Sequence, residues 1–428
     1  MKKHIMSLVQ KEDKVLSIIF DFKGSEISRS ESDLSLIELD SGWKEYNPDD
    51  LFNSIVETGN TALKLAGLTG DEIETIGISV QRGNLVVWDS KTGKPFYNII
   101  ATNCLRSKDI CEKAKNDGIS QLVKTTSGLE IETTYLGPKM KWVLDNVDGI
   151  KEALNDGNAR MGSLDSWLLW KLTDGEKFST DCTNASFSIL YNIYDNVWEN
   201  KLLNYFEIPK DCLPSVELSS YLFAKTDKIY FGSSIMVGCL VEEQHASLFG
   251  QLRYDLGGCR AYYNKASKMV FHTGLNPFPN DGNLITTYAY GISGRVKYSL
   301  ESQWFKYKIE ENPKTHPDDL LAYKIYNSVK TAENLTDTKI LELRVDGPDS
   351  KKDELMQLQA DMLQIPVIRP YVKETAALGA AYMAGVATGY FENGRKDIVP
   401  YWRVDKKFEP KISGLESEAI IMAIKSKL

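Results

Sequence analysis

The strongest constraint on how this chain folds is that β-like runs in succession open it, followed by a helix and a buried strand, and that a second set of strand-like runs begins near Gly250. The three opening runs are Met6–Val9, Val15–Phe20 and Leu34–Leu39, and a turn at Asp21-Phe-Lys-Gly24 follows the second. Asn47-Pro48-Asp-Asp50 then predicts a helix start. Asparagine caps the open amides, proline at the first helical position needs no N–H, and acids suit the positive end of the helix dipole. Ile76–Val80 reads as the buried strand after that helix. In the second set, Arg260–Tyr263 and Met269–His272 look like hairpin strands, as do Leu284–Tyr290 and Arg295–Leu300 around Gly291-Ile-Ser-Gly294. Further on, Ile340–Val345 predicts a strand ending in Asp346-Gly347, Met356–Leu363 a helix, and Glu374–Ala387 a small-residue helix that packs tightly.

Three meander strands, a helix and a parallel strand are the opening half of a ribonuclease-H-like α/β unit. Two such units with no low-complexity linker predict a two-lobed protein with a cleft between the lobes. At 428 residues and 42% hydrophobic, the chain can bury cores of that size. A net charge of −8 and the lack of any basic stripe argue against nucleic-acid binding, since a phosphate backbone attracts clustered Lys and Arg. The six cysteines and four histidines are scattered without metal-ligand spacing, which predicts reduced thiols and no metal site. The apolar patch Ile5-Met-Ser-Leu-Val9 is broken at once by Gln10-Lys-Glu-Asp-Lys14, so it is no secretory signal, and no apolar run approaches the ~18 residues that span a bilayer. The chain is expected to be soluble and intracellular. Its last residues, Ser426-Lys427-Leu428, form the tripeptide that a peroxisomal import receptor reads at a free C-terminus, so the expected address is the peroxisome or the cytoplasm.

Several stretches carry a more specific likeness: Ile76-Gly-Ile-Ser-Val-Gln-Arg82, Val86-Val-Trp-Asp89, Lys91-Thr-Gly-Lys-Pro95, Gly162-Ser-Leu-Asp-Ser-Trp-Leu-Leu-Trp-Lys-Leu-Thr173, Thr180-Asp-Cys-Thr-Asn-Ala-Ser186, Leu248-Phe-Gly-Gln251, Leu343-Arg-Val-Asp-Gly347 and Glu374-Thr-Ala-Ala-Leu-Gly-Ala-Ala-Tyr-Met-Ala-Gly385. Through them the chain resembles the FGGY carbohydrate kinase family, most of all its glycerol-phosphorylating members. The likeness covers nearly the whole chain except a stretch around Lys306–Asn334. It implies an actin-like (ribonuclease-H-like) two-domain α/β fold with an inter-domain cleft. It also implies an N-terminal domain over residues 1–250, and a C-terminal domain over 251–428 shortened by an internal deletion.

At the positions that do the family's chemistry, this sequence departs from the pattern. Counting back without gaps from Phe20-Asp21, the family's first phosphate loop falls on Val9, Lys11, Glu12, Asp13 and Leu16. Lys11 lacks glycine's freedom to take positive φ, and two carboxylates beside a triphosphate repel it. The second phosphate loop falls on Asn264-Lys265-Ala266, where Lys265 could meet a phosphate as a point charge or stand as a solvated turn lysine. The nucleotide-side Asp-Gly-Gly becomes Asp346-Gly347-Pro348, in which proline removes an amide donor. The polyol-binding Arg-Glu pair becomes Arg82-Gly83, and the pocket's Trp and Tyr become Thr102 and Thr134. The catalytic Asp-Gln pair becomes Glu243-Gln244, preceded by Glu242.

Glu243 is therefore the candidate base, Arg82 and Gln244 the candidate hydroxyl holders, and Gly347 with Lys265 the candidate nucleotide contacts; no metal ligand is assigned. Substitution at so many positions predicts lost catalysis. What remains would be a binding or regulatory protein that needs no cofactor and forms a homo-oligomer or pairs with an active kinase paralogue. The alternative is an active kinase that uses Mg·ATP to phosphorylate glycerol or a related polyol.

Overall fold

The computed structural model describes residues 4–39, 41–264, 266–279, 283–306 and 315–427. The chain divides into two compact units, one of Met1–Ser247, Tyr290–Val296 and Ala376–Pro400, the other of Leu248–Ala289, Lys297–Thr375 and Tyr401–Leu428.

The first unit is built on a mixed sheet of β1 (His4–Gln10), β2 (Lys14–Asp21), β3 (Glu26–Asp33), β4 (Ile73–Val80), β5 (Ser220–Lys225) and β6 (Met236–Glu242), in the spatial order β5-β6-β4-β1-β2-β3. β1, β2 and β3 form an antiparallel meander, whereas β4 runs parallel to β1 and β6 parallel to β4. β1, β4 and β6 are near-continuous apolar runs because both faces of the sheet are covered. Helix Pro48–Ala66 covers one face with Leu51, Phe52, Ile55 and Leu63, each contributing on the order of 1.5–3 kcal/mol by burial. Its start is the predicted one: Asn47 Oδ1 accepts from the amides of Asp49 at 2.9 Å and Asp50 at 3.1 Å.

Helix Thr375–Ala387 covers the opposite face. Ser7 Oγ donates to the Ala377 carbonyl at 2.6 Å, and a Cβ on Gly77 would fall 2.3 Å from the Ala380 carbonyl oxygen. The small residues of this helix are what allow its backbone to lie that close.

The third meander strand is not where the apolar pattern put it. It is Glu26–Asp33, a polar strand at the sheet edge whose residues alternate between exposed and half-buried. Of the predicted run Leu34–Leu39, only Ile37–Leu39 is a strand, exposed and paired in a separate five-stranded sheet.

The second unit repeats the design with β7 (Cys259–Tyr263), β8 (Ala266–Gly274), β9 (Leu284–Ile292), β10 (Arg295–Ser302), β11 (Leu343–Asp346), β12 (Val367–Pro370) and β13 (Val404–Phe408), in the order β9-β10-β8-β7-β11-β12-β13. β8 is antiparallel to both β7 and β10, while β11 runs parallel to β7 and β12 parallel to β11. The helix between meander and parallel strand is Pro317–Thr336. Its His316-Pro317-Asp-Asp319 start repeats the grammar of Asn47-Pro48-Asp-Asp50, with the His316 side chain accepting from Asp318 N. This helix falls in the stretch where the sequence likeness lapsed. The topology occurs once in each unit, giving the two-domain α/β architecture of the actin-like, ribonuclease-H-like class.

All six cysteines are free and buried. Among the described residues, no helix is long and apolar enough to cross a membrane, and no cluster of His, Cys, Asp and Glu could hold a metal ion. Ser426 and Lys427 are exposed after helix Gly414–Lys425, and Leu428 lies outside the described residues.

Candidate active site

Two neighbouring parallel strands of the first unit bring the candidate polyol-side residues together. β4 and β6 run in register to Val80 opposite Glu242, and their C-terminal ends deliver Arg82 from one strand and Glu242, Glu243 and Gln244 from the other. The ends of parallel strands suit a site, because the chain leaves the sheet there in loops and helix starts that can address a ligand.

Glu242 is the organising group, and the sequence reading had treated it only as a neighbour of Glu243. It is buried, and its Oε2 accepts from the amides of Gln244 at 2.9 Å and His245 at 3.1 Å, so it caps the helix Glu243–Gly250. Its Oε1 lies 3.7 Å from Arg82 Nε. His245 Nδ1 sits 2.9 Å from Oε2, at ion-pair distance but without the alignment of a hydrogen bond. The Glu242 amide donates to Thr183 Oγ1, and the Thr183 hydroxyl bonds in turn to Asp181. This buried network fixes the first turn of the helix, and with it the half-buried Glu243 and the buried Gln244.

Arg82 is equally fixed. Its guanidinium carbon stands 3.8 Å from the Phe187 ring centroid, and its carbonyl accepts from Thr102 Oγ1 at 2.5 Å. The loop after β4 is held further by Gln10, whose Oε1 accepts from Gln81 N at 3.0 Å and Asn84 Nδ2 at 3.3 Å. Asn84 Oδ1 accepts from Thr102 N at 2.9 Å.

Gly83 occupies the left-handed region at φ +83°, and a Cβ there would lie 2.6 Å from the Thr134 carbonyl oxygen. The loop is thus shaped around glycine.

Behind this network lie two buried carboxylates. Asp181 caps helix Cys182–Ser186, accepting from the amides of Thr183 and Asn184 and from Ser219 Oγ at 2.6 Å; burial raises its pKa. Asp165 accepts from Thr180 Oγ1 at 2.7 Å, and burial, with the Asp181 charge next to it, pushes its carboxyl up to about 7.

The turn matching the family's first phosphate loop is a hairpin turn. Lys11 N donates to the Lys14 carbonyl at 2.8 Å, Tyr46 OH donates to the Glu12 carbonyl, and Glu12 and Asp13 are exposed.

The second unit holds the nucleotide-side candidates. Asp346, at the end of β11, is buried and accepts from Arg260 Nε at 2.9 Å, Arg260 Nη2 at 2.5 Å, Gln251 Nε2 at 2.8 Å and Thr375 Oγ1 at 2.5 Å. Gly347 stands at φ +88°, where a Cβ would lie 2.3 Å from the Tyr263 carbonyl oxygen. Pro348 is the first residue of the 3₁₀ helix Pro348–Lys351, a position at which its missing N–H costs little. Lys265 lies outside the described residues, so its assignment stays an expectation.

Sequence reasoning missed Glu242's role, Gln10, Asn84 and Lys139. The last is buried and donates to three backbone carbonyls, those of Gly83, Thr102 and Thr134.

Comparison with known proteins bears on what this framework is for. "Glycerol kinase 2" of Thermotoga maritima is 33% identical over 479 residues, covering 98% of this chain and 96% of that protein. "Glycerol kinase 1" of Clostridium tetani is 33% identical over 471 residues, covering 96% and 94%. The first alignment is longer than this 428-residue chain, so the relative carries residues this chain lacks. Among solved structures, Plasmodium falciparum glycerol kinase with ADP superposes with a TM-score of 0.89 at 20% identity, over 99% of this chain and 98% of that one. Xylulose kinase from Rhodospirillum rubrum gives 0.84 at 12%, and likenesses at such identities are of fold.

The expectation of a protein without catalysis is overturned. A chain that keeps a third of its residues in common with glycerol kinases along nearly its whole length, and an intact buried Arg82–Glu242–His245 network, has not shed its catalytic framework. Residues 13–250 match the model of the FGGY N-terminal domain and residues 251–388 that of the C-terminal domain. The chain belongs to the FGGY family of carbohydrate kinases.

Proposed function

We propose that this protein is an ATP-dependent kinase that phosphorylates glycerol or a related polyol, releasing ADP. The observation that carries this reading is the near-full-length likeness to glycerol kinases, held together with the buried network that presents Glu243 at the start of a helix. Glu243 would accept the proton of the attacking hydroxyl as that oxygen bonds to the γ-phosphorus. Arg82 and Gln244 would hold the polyol's hydroxyls. Gly347, with Lys265, would stand on the nucleotide side, and Mg²⁺ would arrive with the nucleotide as its counter-ion.

Support for Glu243 as base is positional: it is the first residue of the helix that Glu242 caps, next to the carboxylate that faces Arg82. A coupled assay of ADP release with purified protein tests the reading. The expected result is glycerol-dependent turnover, reduced on the order of 10²–10⁴-fold by Glu243→Gln, with an upward melting shift on adding Mg·ATP. No turnover with glycerol or other polyols, and no shift with Mg·ATP, would overturn it. The terminal tripeptide is proposed as a peroxisomal address; a fluorescent N-terminal fusion that stays diffuse in a competent cell would refute that.

A further inference from the structure

We propose that Lys139 is a positioning residue for polyol binding, its amino group clamping the Gly83, Thr102 and Thr134 carbonyls so as to fix where Arg82 stands. This rests on the kinase reading above and adds a residue outside the substrate-contacting set.

Lys139 Nζ lies 2.6 Å from the Gly83 oxygen and 3.1 Å from those of Thr102 and Thr134, and its side chain is fully buried. The three carbonyls belong to segments far apart in sequence. They are also the three positions at which this chain carries Gly, Thr and Thr in place of a pocket acid and two pocket aromatics. The backbone at all three is braced from behind by one cation. The link to Arg82 is short. Gly83 follows it in the chain, and Thr102, held by its carbonyl, donates its hydroxyl to the Arg82 carbonyl.

The clamp depends on protonation. An ammonium group has three N–H donors, one for each carbonyl, while the neutral amine has two and turns a lone pair toward the third oxygen. The titratable and charged groups facing Lys139 are Cys104 and Arg106 from the segment after Thr102, and Cys111 from helix Lys108–Asn116. Arg106 is itself engaged by Glu45, and burial pushes the Cys111 thiol up to about 11. Burial lowers Lys139 to about 7. The clamp is therefore complete below neutrality and loses one donor as pH rises through it.

The test is steady-state kinetics of the full-length protein with glycerol as the varied substrate and Mg·ATP saturating, from about pH 6 to about pH 8.5, for the parent and for Lys139→Gln. Glutamine supplies two donors and does not titrate. The parent's KM for glycerol should rise several-fold across that range. In Lys139→Gln, KM should be about tenfold higher at the acid end and independent of pH, with kcat within about threefold of the parent. A folded Lys139→Gln that keeps the parent's KM and pH dependence, or that loses kcat at constant KM, overturns the proposal. If the variant does not fold, the parent's own profile decides: a KM flat through pH 7 overturns the proposal, and one that rises supports it. Calorimetric titration of the parent with glycerol separates the two levels of inference. A parent that neither binds nor phosphorylates glycerol overturns the kinase reading and this proposal together. A parent that does both with a flat KM overturns this proposal alone.

Discussion

Gly83→Glu restores the carboxylate that the family's pattern carries beside Arg82, and a reading based on side-chain identity alone expects it to improve glycerol use. The structure predicts the reverse. A side-chain-bearing residue held in the left-handed region costs roughly 1–2 kcal/mol. The added Cβ would meet the Thr134 carbonyl oxygen at 2.6 Å, and a backbone atom cannot swing aside as a side chain can. Overpacking of that kind typically costs ~1–3 kcal/mol, so the total comes to about 2–5 kcal/mol. Any relief by loop movement would pull the Gly83 carbonyl from Lys139 Nζ, its 2.6 Å partner. Urea denaturation of the parent, Gly83→Ala and Gly83→Glu at one pH measures this. Alanine should already show most of the loss, because both faults arise at Cβ, and KM for glycerol should not fall in either variant. A glutamate variant within about 0.5 kcal/mol of the parent, or one with a lower KM for glycerol, would refute the reasoning.

Other expectations follow from the same network. Glu242→Ala removes the buried carboxylate that faces Arg82 and accepts from two helix-start amides, and should cost about 3–5 kcal/mol in urea denaturation; a loss below about 1 kcal/mol would show that the network is not structural. Asp165 should make stability fall as pH rises from about 4 to about 7. Its native carboxyl keeps a proton up to about 7 while the unfolded chain releases it near 3.8, so the native state binds more protons across that window. Asp165→Asn should remove that slope, and a slope that persists would assign it elsewhere. Gly77→Ala should destabilise by at least ~1–3 kcal/mol, since its Cβ would press on the backbone of the 375–387 helix, and a neutral effect would mean that the helix shifts freely.

What the sequence revealed divides along physical lines. Helix starts were legible because capping is local: Asn47-Pro48-Asp-Asp50 spells its own geometry. Strands buried on both faces, such as β1 and β4, announced themselves by near-continuous apolar runs. β3 was missed because an edge strand with water on one side needs no such run, and Glu26–Asp33 has none. At the candidate site, residue identity located Arg82, Glu243 and Gln244, and the parallel pairing of β4 and β6 places them at neighbouring strand ends. The supports were illegible. Lys139 and Lys141 look alike in Lys139-Met-Lys141-Trp142, yet the first is fully buried and the second bonds exposed acids. Nothing short of the tertiary fold tells them apart. The mistaken inference of lost activity has the same root, because a substitution such as Gly83 cannot be judged without the backbone around it.

The helix Thr375–Ala387, laid against a sheet whose first strand is at the other end of the chain, bears on how the protein comes into being. On the ribosome, β1, β2, β4 and β6 are all available once residue 242 has emerged, but the face of the sheet containing Gly77 then waits for a segment more than a hundred residues downstream. At ordinary elongation speeds that wait is on the order of ten seconds, far longer than collapse or hairpin formation takes. During it a broad apolar surface is without its cover, so a nascent chain arrested before residue 375 should be the species that holdase chaperones grip. Release should come only when the late helix arrives.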